Sequence, residues 1–236
     1  MAGRLAGRIA LITGASRGIG AATALRYAAE GAHPVLVART QGGLEEVDDQ
    51  IRARGGQATL LPLDLREHDR IDQMAQAIHA RFGRLDILVA NAASLGILTP
   101  LAHLAPDVWS DTLNLNLTAN WRLIRALDPL LRLSQSGRAI FVTSGVARGA
   151  FAYWGAYAVS KAGIEMLAKI YAAETAKTSV RVNILDPGVA RTRMRAQAFP
   201  GEDPASLPPP ESLGELFVSL GEAGCRHHGE IVGARR

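Results

Sequence analysis

Short apolar runs alternate with longer amphipathic stretches along the whole chain. Arg8 to Thr13, RIALIT, is apolar with little alternation, the pattern of a strand buried on both faces of a parallel sheet. Six further runs read as strands: His33 to Ala38, Gln57 to Leu63, Leu85 to Ala90, Arg138 to Thr143, Val180 to Leu185, and a short last one around Glu230 to Gly233. Helical spacing predicts helices over Ala21 to Glu30, Gly42 to Arg54, His68 to Phe82, Pro106 to Leu133, Trp154 to Ala176 and Glu211 to Leu220. Gly55-Gly56 ends the second of these. Pro106 suits the first turn of the fourth, whose apolar positions include Trp109, Leu113, Leu117 and Ile124. Strand and helix in alternation predict an α/β fold, a doubly wound parallel sheet with helices on both faces.

A chain of 236 residues that is 48% hydrophobic is long enough for one substantial core, so a single domain over 1–236 is expected. Prolines and acidic residues gather between Thr192 and Pro210, and residues 189–210 read as a segment covering a substrate site. No apolar run approaches the roughly 20 residues that span a bilayer, and MAGRLAGRIA lacks the apolar centre of a secretory signal. A cytoplasmic protein with no membrane partner is expected. Cys225 is the lone cysteine and has no internal partner for a disulfide. The net charge of +4 is spread along the chain, with no dense basic block and no zinc-like Cys/His spacing, which argues against a nucleic-acid partner. His227 and His228 lack companions at metal spacing, so no metal is expected and both are read as exposed.

Candidate chemistry begins at TGASRGIG, directly after the first strand. Gly14, Gly18 and Gly20 permit a tight turn and close approach to a ligand, and the following helix points amide N–H groups at an anion. Strand, glycine turn and helix in that order suit a dinucleotide diphosphate. The second strand ends in Ala38, Arg39 and Thr40, with no carboxylate for the ribose hydroxyls of NAD(H); Arg39 and Arg17 could grip a 2′-phosphate, which favours NADP(H) and leaves NAD(H) possible. Asp64 could contact the adenine or cap the next helix. Asn91 could bind cofactor or tie strand ends together through its amide. Asn114 and Asn116 are indifferent helix formers and, if buried, have hydrogen bonds to make. In TSGVARGAFAYWGAYAVSK, Tyr157 and Lys161 stand one helical turn apart on the same face, with Ser144 just past a strand. A phenol with a reference pKa of about 10 is a poor base at neutral pH, and a nearby ammonium favours its phenolate. Such a set can handle the proton of a carbonyl or an alcohol. Asp186-Pro187-Gly188 breaks the chain sharply. Phe151, Tyr153, Trp154, Met194 and Phe199 either line a pocket or pack.

Thr13-Gly14-x-x-x-Gly18-x-Gly20, Asp64, Asn91-Ala92, Asn116, Ser144, Tyr157-x-x-x-Lys161 and Pro187-Gly188 occur in an order and spacing that resemble the short-chain dehydrogenase/reductase family. The resemblance runs from Arg8 to about Gly233. RTRMRAQAFPGEDP and WGAYAVSK are similar to a bacterial oxidoreductase subgroup. The resemblance implies a Rossmann-like three-layer sandwich whose seven parallel strands are ordered 3-2-1-4-5-6-7. It implies hydride transfer between the nicotinamide of NADP(H) and a small carbonyl or secondary alcohol. Tyr157 would be the acid/base, Ser144 would hold the substrate oxygen, Lys161 would lower the tyrosine pKa and bind ribose, and Asn116 would hold a relay water. Cofactor contacts would come from Gly14, Ser16, Arg17, Gly18, Ile19, Gly20, Arg39, Asp64, Leu65, Asn91, Ala92, Tyr157, Lys161, Pro187, Gly188, Val189 and Thr192. A homodimer or homotetramer through the Tyr157 helix is implied as well. Two positions depart from the family's pattern, Ala93 after Asn91-Ala92 and Asp186 before Pro187-Gly188, and neither falls on the serine, tyrosine or lysine. Two other readings of the same residues are a nucleotide-binding sensor without turnover and an epimerase or dehydratase.

Overall fold

A computed structural model describes residues 3–233; residues 1–2 and 234–236 of the expected domain lie outside the described residues. The chain runs β1 (Ile9–Thr13), α1 (Gly18–Ala29), β2 (His33–Ala38), α2 (Gln41–Arg52), β3 (Thr59–Pro62), α3 (His68–Phe82) and β4 (Ile87–Ala90). It continues through α4 (Pro106–Leu113), α5 (Ala119–Leu133), β5 (Arg138–Val142), α6 (Gly155–Thr175), β6 (Arg181–Asp186), α7 (Arg193–Ala198), α8 (Gly214–Gly221) and β7 (Ile231–Gly233). The seven strands form one sheet in the order β3-β2-β1-β4-β5-β6-β7, and every pairing is parallel. The expected fold class is therefore the observed one.

Apolar runs without alternation follow from two cores, one on each side of the sheet. In β1, Leu11 points into the core under α3, α5 and α6. Its neighbours Ala10 and Ile12 point into the core under α1, α2 and α8. Successive residues of a strand face opposite ways, so both sets must be apolar. Each fully buried Leu, Ile or Val contributes about 1.5–3 kcal/mol relative to exposure. That makes the central strands the rigid base of anything built on their ends.

The expected single helix from Pro106 to Leu133 is interrupted. A π turn over Asn114–Thr118 separates α4 from α5, and the buried side chain of Asn116 lies within it. Turns of this kind insert one residue and re-aim the backbone, often beside a functional site. Residues 189–210 include α7 and a 3-10 turn over Pro204–Ser206, with Arg195 pairing Glu202 at 2.5 Å and stacking over Phe199. Only His227 of the two adjacent histidines is exposed. His228 is half-buried, accepting from the Val182 N–H at 3.2 Å through Nδ1, with Nε2 2.8 Å from the Ala172 carbonyl. Those partners select the neutral tautomer protonated on Nε2. No helix of the described residues is long and apolar enough to cross a membrane.

Candidate active site

At the carboxyl ends of the strands lies a cavity of about 840 Å³, at the topological switch point of the sheet, where α/β folds bind ligands. Gly14 and Gly18 have φ of +67° and +56°, which side chains rarely adopt. Gly20 is needed for a different reason: a Cβ there would lie 2.2 Å from the Gly14 carbonyl and 2.7 Å from Asn91 Nδ2. Asn91 therefore shapes the turn from beneath, donating from Nδ2 to the Thr13 carbonyl at 2.9 Å. Thr13 Oγ1 in turn accepts from the N–H groups of Asn91 and Ala92, both at 3.0 Å. Asn91 is thus a tie between strand ends that also faces the cavity. Ala93 lines the same wall without adopting a positive φ, so its extra methyl costs no backbone strain.

Helix α1 starts beside this turn with no side chain capping its first N–H groups. Its open donors and the positive end of its dipole face the cavity, a ready site for a phosphate group. Arg17 and Arg39 are both exposed and line the cavity. Arg39 Nη1 lies 3.9 Å from Asp64 Oδ2. Asp64 is held more tightly by Arg66, at 2.7 Å from Nη2 and 3.1 Å from Nε. The Arg66 side chain, foremost, holds the Asp64 carboxyl below its usual pKa. Asp64 also accepts from the Arg66 N–H at 3.0 Å, forming a local turn ahead of α3, whose N-cap is Glu67.

Tyr157 and Lys161 leave the first two turns of α6 and reach the other end of the cavity. Both are nearly inaccessible, at 8% and 2% exposure. Lys161 Nζ donates to the Val142 carbonyl at 2.8 Å and stands 5.7 Å from the centroid of the Tyr157 ring. Burial pushes the lysine down to about 8. Burial pushes the phenol up to about 12; the Ser144 hydroxyl pulls against this and the charge of Asp186 adds to it. At neutral pH the phenol thus holds its proton and the lysine its charge. Ser144, in extended backbone after β5, begins a 3-10 turn over Gly145–Arg148.

Asn116 stands behind the cavity wall, bonded to the backbone of Ser94, which lines it. Its Oδ1 accepts from the Ser94 N–H at 2.8 Å, and its Nδ2 donates to the Ser94 carbonyl at 2.8 Å and to Ser160 Oγ at 3.0 Å. Ser160 then donates to the Tyr157 carbonyl at 2.7 Å, so the π turn locks the first turn of α6. The Asn116 carbonyl already accepts from Asn120 Nδ2 at 2.6 Å; a relay water would have to use that oxygen's second lone pair. Of the expected site residues, Gly14, Ser16, Arg17, Gly18, Ile19, Arg39, Asp64, Leu65, Asn91, Ala92, Tyr157, Lys161, Pro187 and Thr192 line the cavity. Gly20, Asn116, Ser144, Gly188 and Val189 stand behind or beside it. The Thr192 methyl would be 3.6 Å from a Cβ on Gly18, while its Oγ1 caps α7 by accepting from the Arg195 N–H at 3.1 Å. Among the pocket candidates, Met194 lines the cavity. Trp154 stacks between Tyr157 and Phe199, at centroid distances of 5.9 and 5.8 Å, and Phe151 and Tyr153 are exposed.

Sequence reasoning passed over Thr13 as a clamp, Arg66 as the partner of Asp64, and Ser160. Thr13 and Arg66 stand within two residues of residues already singled out. Ser160 stands next to Lys161, yet nothing in its own type marks it.

The short chain dehydrogenase family matches residues 8–203. An oxidoreductase named YciK from Escherichia coli K12 is 39% identical over 216 residues, 90% of this chain and 85% of that protein. Among solved structures, a short chain dehydrogenase from Salmonella enterica serovar Typhi CT18 superposes with a TM-score of 0.96 at 38% identity, covering 100% of this chain and 99% of the other. A chain from Escherichia coli CFT073, crystallised in complex with NADPH, also gives a TM-score of 0.96 at 38% identity, with 100% of both chains covered. This chain belongs to the short-chain dehydrogenase family and is an oxidoreductase.

Proposed function

We propose that the protein is an NADP(H)-dependent carbonyl reductase, or alcohol dehydrogenase in the reverse direction, acting on a small and mostly apolar substrate. One observation carries the reading: a proton-holding phenol beside a buried ammonium stands in the cavity that opens, at its other end, on an uncapped helix N-terminus flanked by Arg17 and Arg39. The NADPH complex of the Escherichia coli relative supports the choice of nucleotide. The turn from Gly14 to Gly20 with Ser16 and Ile19 would hold the diphosphate, Arg17 and Arg39 the 2′-phosphate, and Asp64 and Leu65 the adenine. Asn91, Ala92, Pro187, Gly188, Val189 and Thr192 would border the nicotinamide and its ribose. The bound nicotinamide supplies or accepts hydride.

The chain's own residues handle the proton. Tyr157, protonated at neutral pH, donates to the substrate oxygen as that oxygen gains charge, and Ser144 steadies the oxygen with a hydrogen bond. Lys161 places a positive charge beside the phenolate that results and so eases its formation. Asn116 fixes the start of α6 through Ser160 and offers its carbonyl to a relay water. Residues 189–210 cover the crevice, with Met194 in its wall. Trp121, Val159, Met166 and Ile170, all 46–58% exposed on α5 and α6, support assembly into a homodimer or homotetramer through those helices.

The test is a panel of ketones, aldehydes and secondary alcohols, with NADPH or NADP followed by absorbance at the nicotinamide band. Turnover of at least one carbonyl with NADPH, and weaker turnover with NADH, is expected. Tight NADPH binding with no turnover across the panel would point to a sensor. Product formed without change at the nicotinamide band would point to an epimerase or dehydratase.

A further inference from the structure

A charged cluster behind Ser144 has no part in the chemistry so far. Arg148, at the end of the 3-10 turn that follows Ser144, donates through Nη1 to Glu165 Oε1 at 2.6 Å and through Nη2 to Asp186 Oδ2. Glu165, 6% exposed on α6 two turns after Tyr157, also accepts from Thr143 Oγ1 at 2.9 Å. Asp186 ends β6, and its second oxygen accepts from the Gly188 N–H at 3.0 Å. One guanidinium therefore joins three pieces of backbone: the turn carrying Ser144, the helix carrying Tyr157 and Lys161, and the Pro187-Gly188 turn. Asp186, noted in the sequence as a departure outside the reactive set, acts on that set after all, because its charge opposes ionisation of Tyr157.

We propose that Arg148 is a positioning residue that braces the Ser144 turn against α6 and the end of β6 and neutralises Asp186, whose Oδ2 would lie 4.0 Å from a Cβ on Gly145 of that turn. The catalytic half of this inference rests on the reductase reading above; the brace itself does not. A guanidinium bridging two carboxylates in a partly buried place is a strong and directional tie, and its removal leaves both carboxylates close together and unpaired. The charges around the phenol are few. Lys161 comes from its own helix with Glu165 behind it, Asp186 from β6, Arg148 from the 3-10 turn, and Arg191 and Arg193 from the covering segment across the cavity. β5 contributes a carbonyl and the π turn neutral amides, while Asp111 of α4 is turned to Arg66 at 3.1 Å. Within this set Arg148 is the group that pairs with Asp186.

The experiment compares wild type with Arg148→Met, Arg148→Lys and Arg148→Met/Asp186→Asn. Amide hydrogen exchange over 144–148 and 186–189, without ligand, reads the brace. Arg148→Met should raise exchange there about tenfold, the double variant should recover only the part that repulsion between Glu165 and Asp186 contributes, and Arg148→Lys should fall between wild type and Arg148→Met. In alcohol oxidation, Arg148→Met should lower kcat about tenfold, change KM less than about twofold, and move the ascending limb of the pH profile up by about one unit. Replacing Asp186 as well should return that limb. Unchanged exchange in Arg148→Met overturns the brace. A fall in kcat with an unmoved limb, or one the second substitution fails to rescue, overturns the charge role. NADPH binding absent from wild type would sink the reductase reading and leave hydrogen exchange to decide the brace.

Discussion

Two buried charges at opposite ends of the sheet, Asp86 and Lys161, are held in opposite ways. At the amino ends of the strands, Asp86 is 5% exposed and fully engaged. It accepts from the Ile9 N–H at 2.9 Å, from Ser134 Oγ at 2.6 Å and from Arg84 Nε at 3.0 Å. Burial pushes its carboxyl upward, but these hydrogen bonds outweigh burial and hold it below its usual pKa. At the carboxyl ends, Lys161 is as deeply buried and has one protein acceptor among the described residues, the Val142 carbonyl. Burial wins there and pushes it down to about 8. A satisfied charge stabilises the fold, whereas a poorly satisfied one is sustained by the rest of the fold and is left available to a ligand.

The largest expected effect falls at the satisfied end. Asp86→Ala strands the Ile9 N–H and the Ser134 hydroxyl and should destabilise the protein by about 2–5 kcal/mol, read by urea unfolding, while the folded fraction keeps wild-type affinity for NADPH. An NADPH affinity that falls with stability would erase the contrast between the two ends. Next comes the opposite sign at the other end. Lys161→Met removes a desolvated ammonium and should raise stability of the ligand-free protein at pH 7 by about 1–3 kcal/mol while abolishing turnover. The sign follows from the depressed pKa: between about 8 and 10.5 the unfolded chain binds more protons than the folded one, so wild-type stability climbs through that window. The gain from Lys161→Met should therefore be full below pH 8 and gone by about pH 10.5. A flat difference across that range would mean that the lysine is not desolvated as described. Smallest is the nucleotide choice. Arg39→Ala should weaken NADPH binding about tenfold and leave NADH unchanged, by calorimetry; equal losses for both would remove Arg39 from the 2′-phosphate.

The strand runs were legible because a strand buried on two faces must be apolar throughout, as Ala10, Leu11 and Ile12 are; their order followed only from the family resemblance. The glycine turn, Tyr157 and Lys161 were legible because their spacing is local and their chemistry is written in residue type. Helix α1 begins at Gly18, three residues before the expected Ala21, within the glycine turn itself. The π turn was not legible. It depends on Asn116 reaching Ser94 and Ser160, 22 and 44 residues away, and the sequence offered only the mild oddity of Asn114 and Asn116 close together in a helix. Arg148 and Glu165 were hidden for the same reason: 17 residues separate them, and Asp186 lies 38 from the arginine. The short helix α7 had a local signal, Thr192 three residues before the N–H it caps, within a stretch whose prolines read as loop.

The central claim is that the open end of the sheet moves a proton through Tyr157. Its most direct test is Tyr157→Phe, compared with wild type for NADPH affinity by calorimetry and for turnover on a carbonyl that wild type reduces. Unchanged affinity with turnover lowered by about 10²–10⁴-fold is predicted. Turnover within a few-fold of wild type would contradict the account.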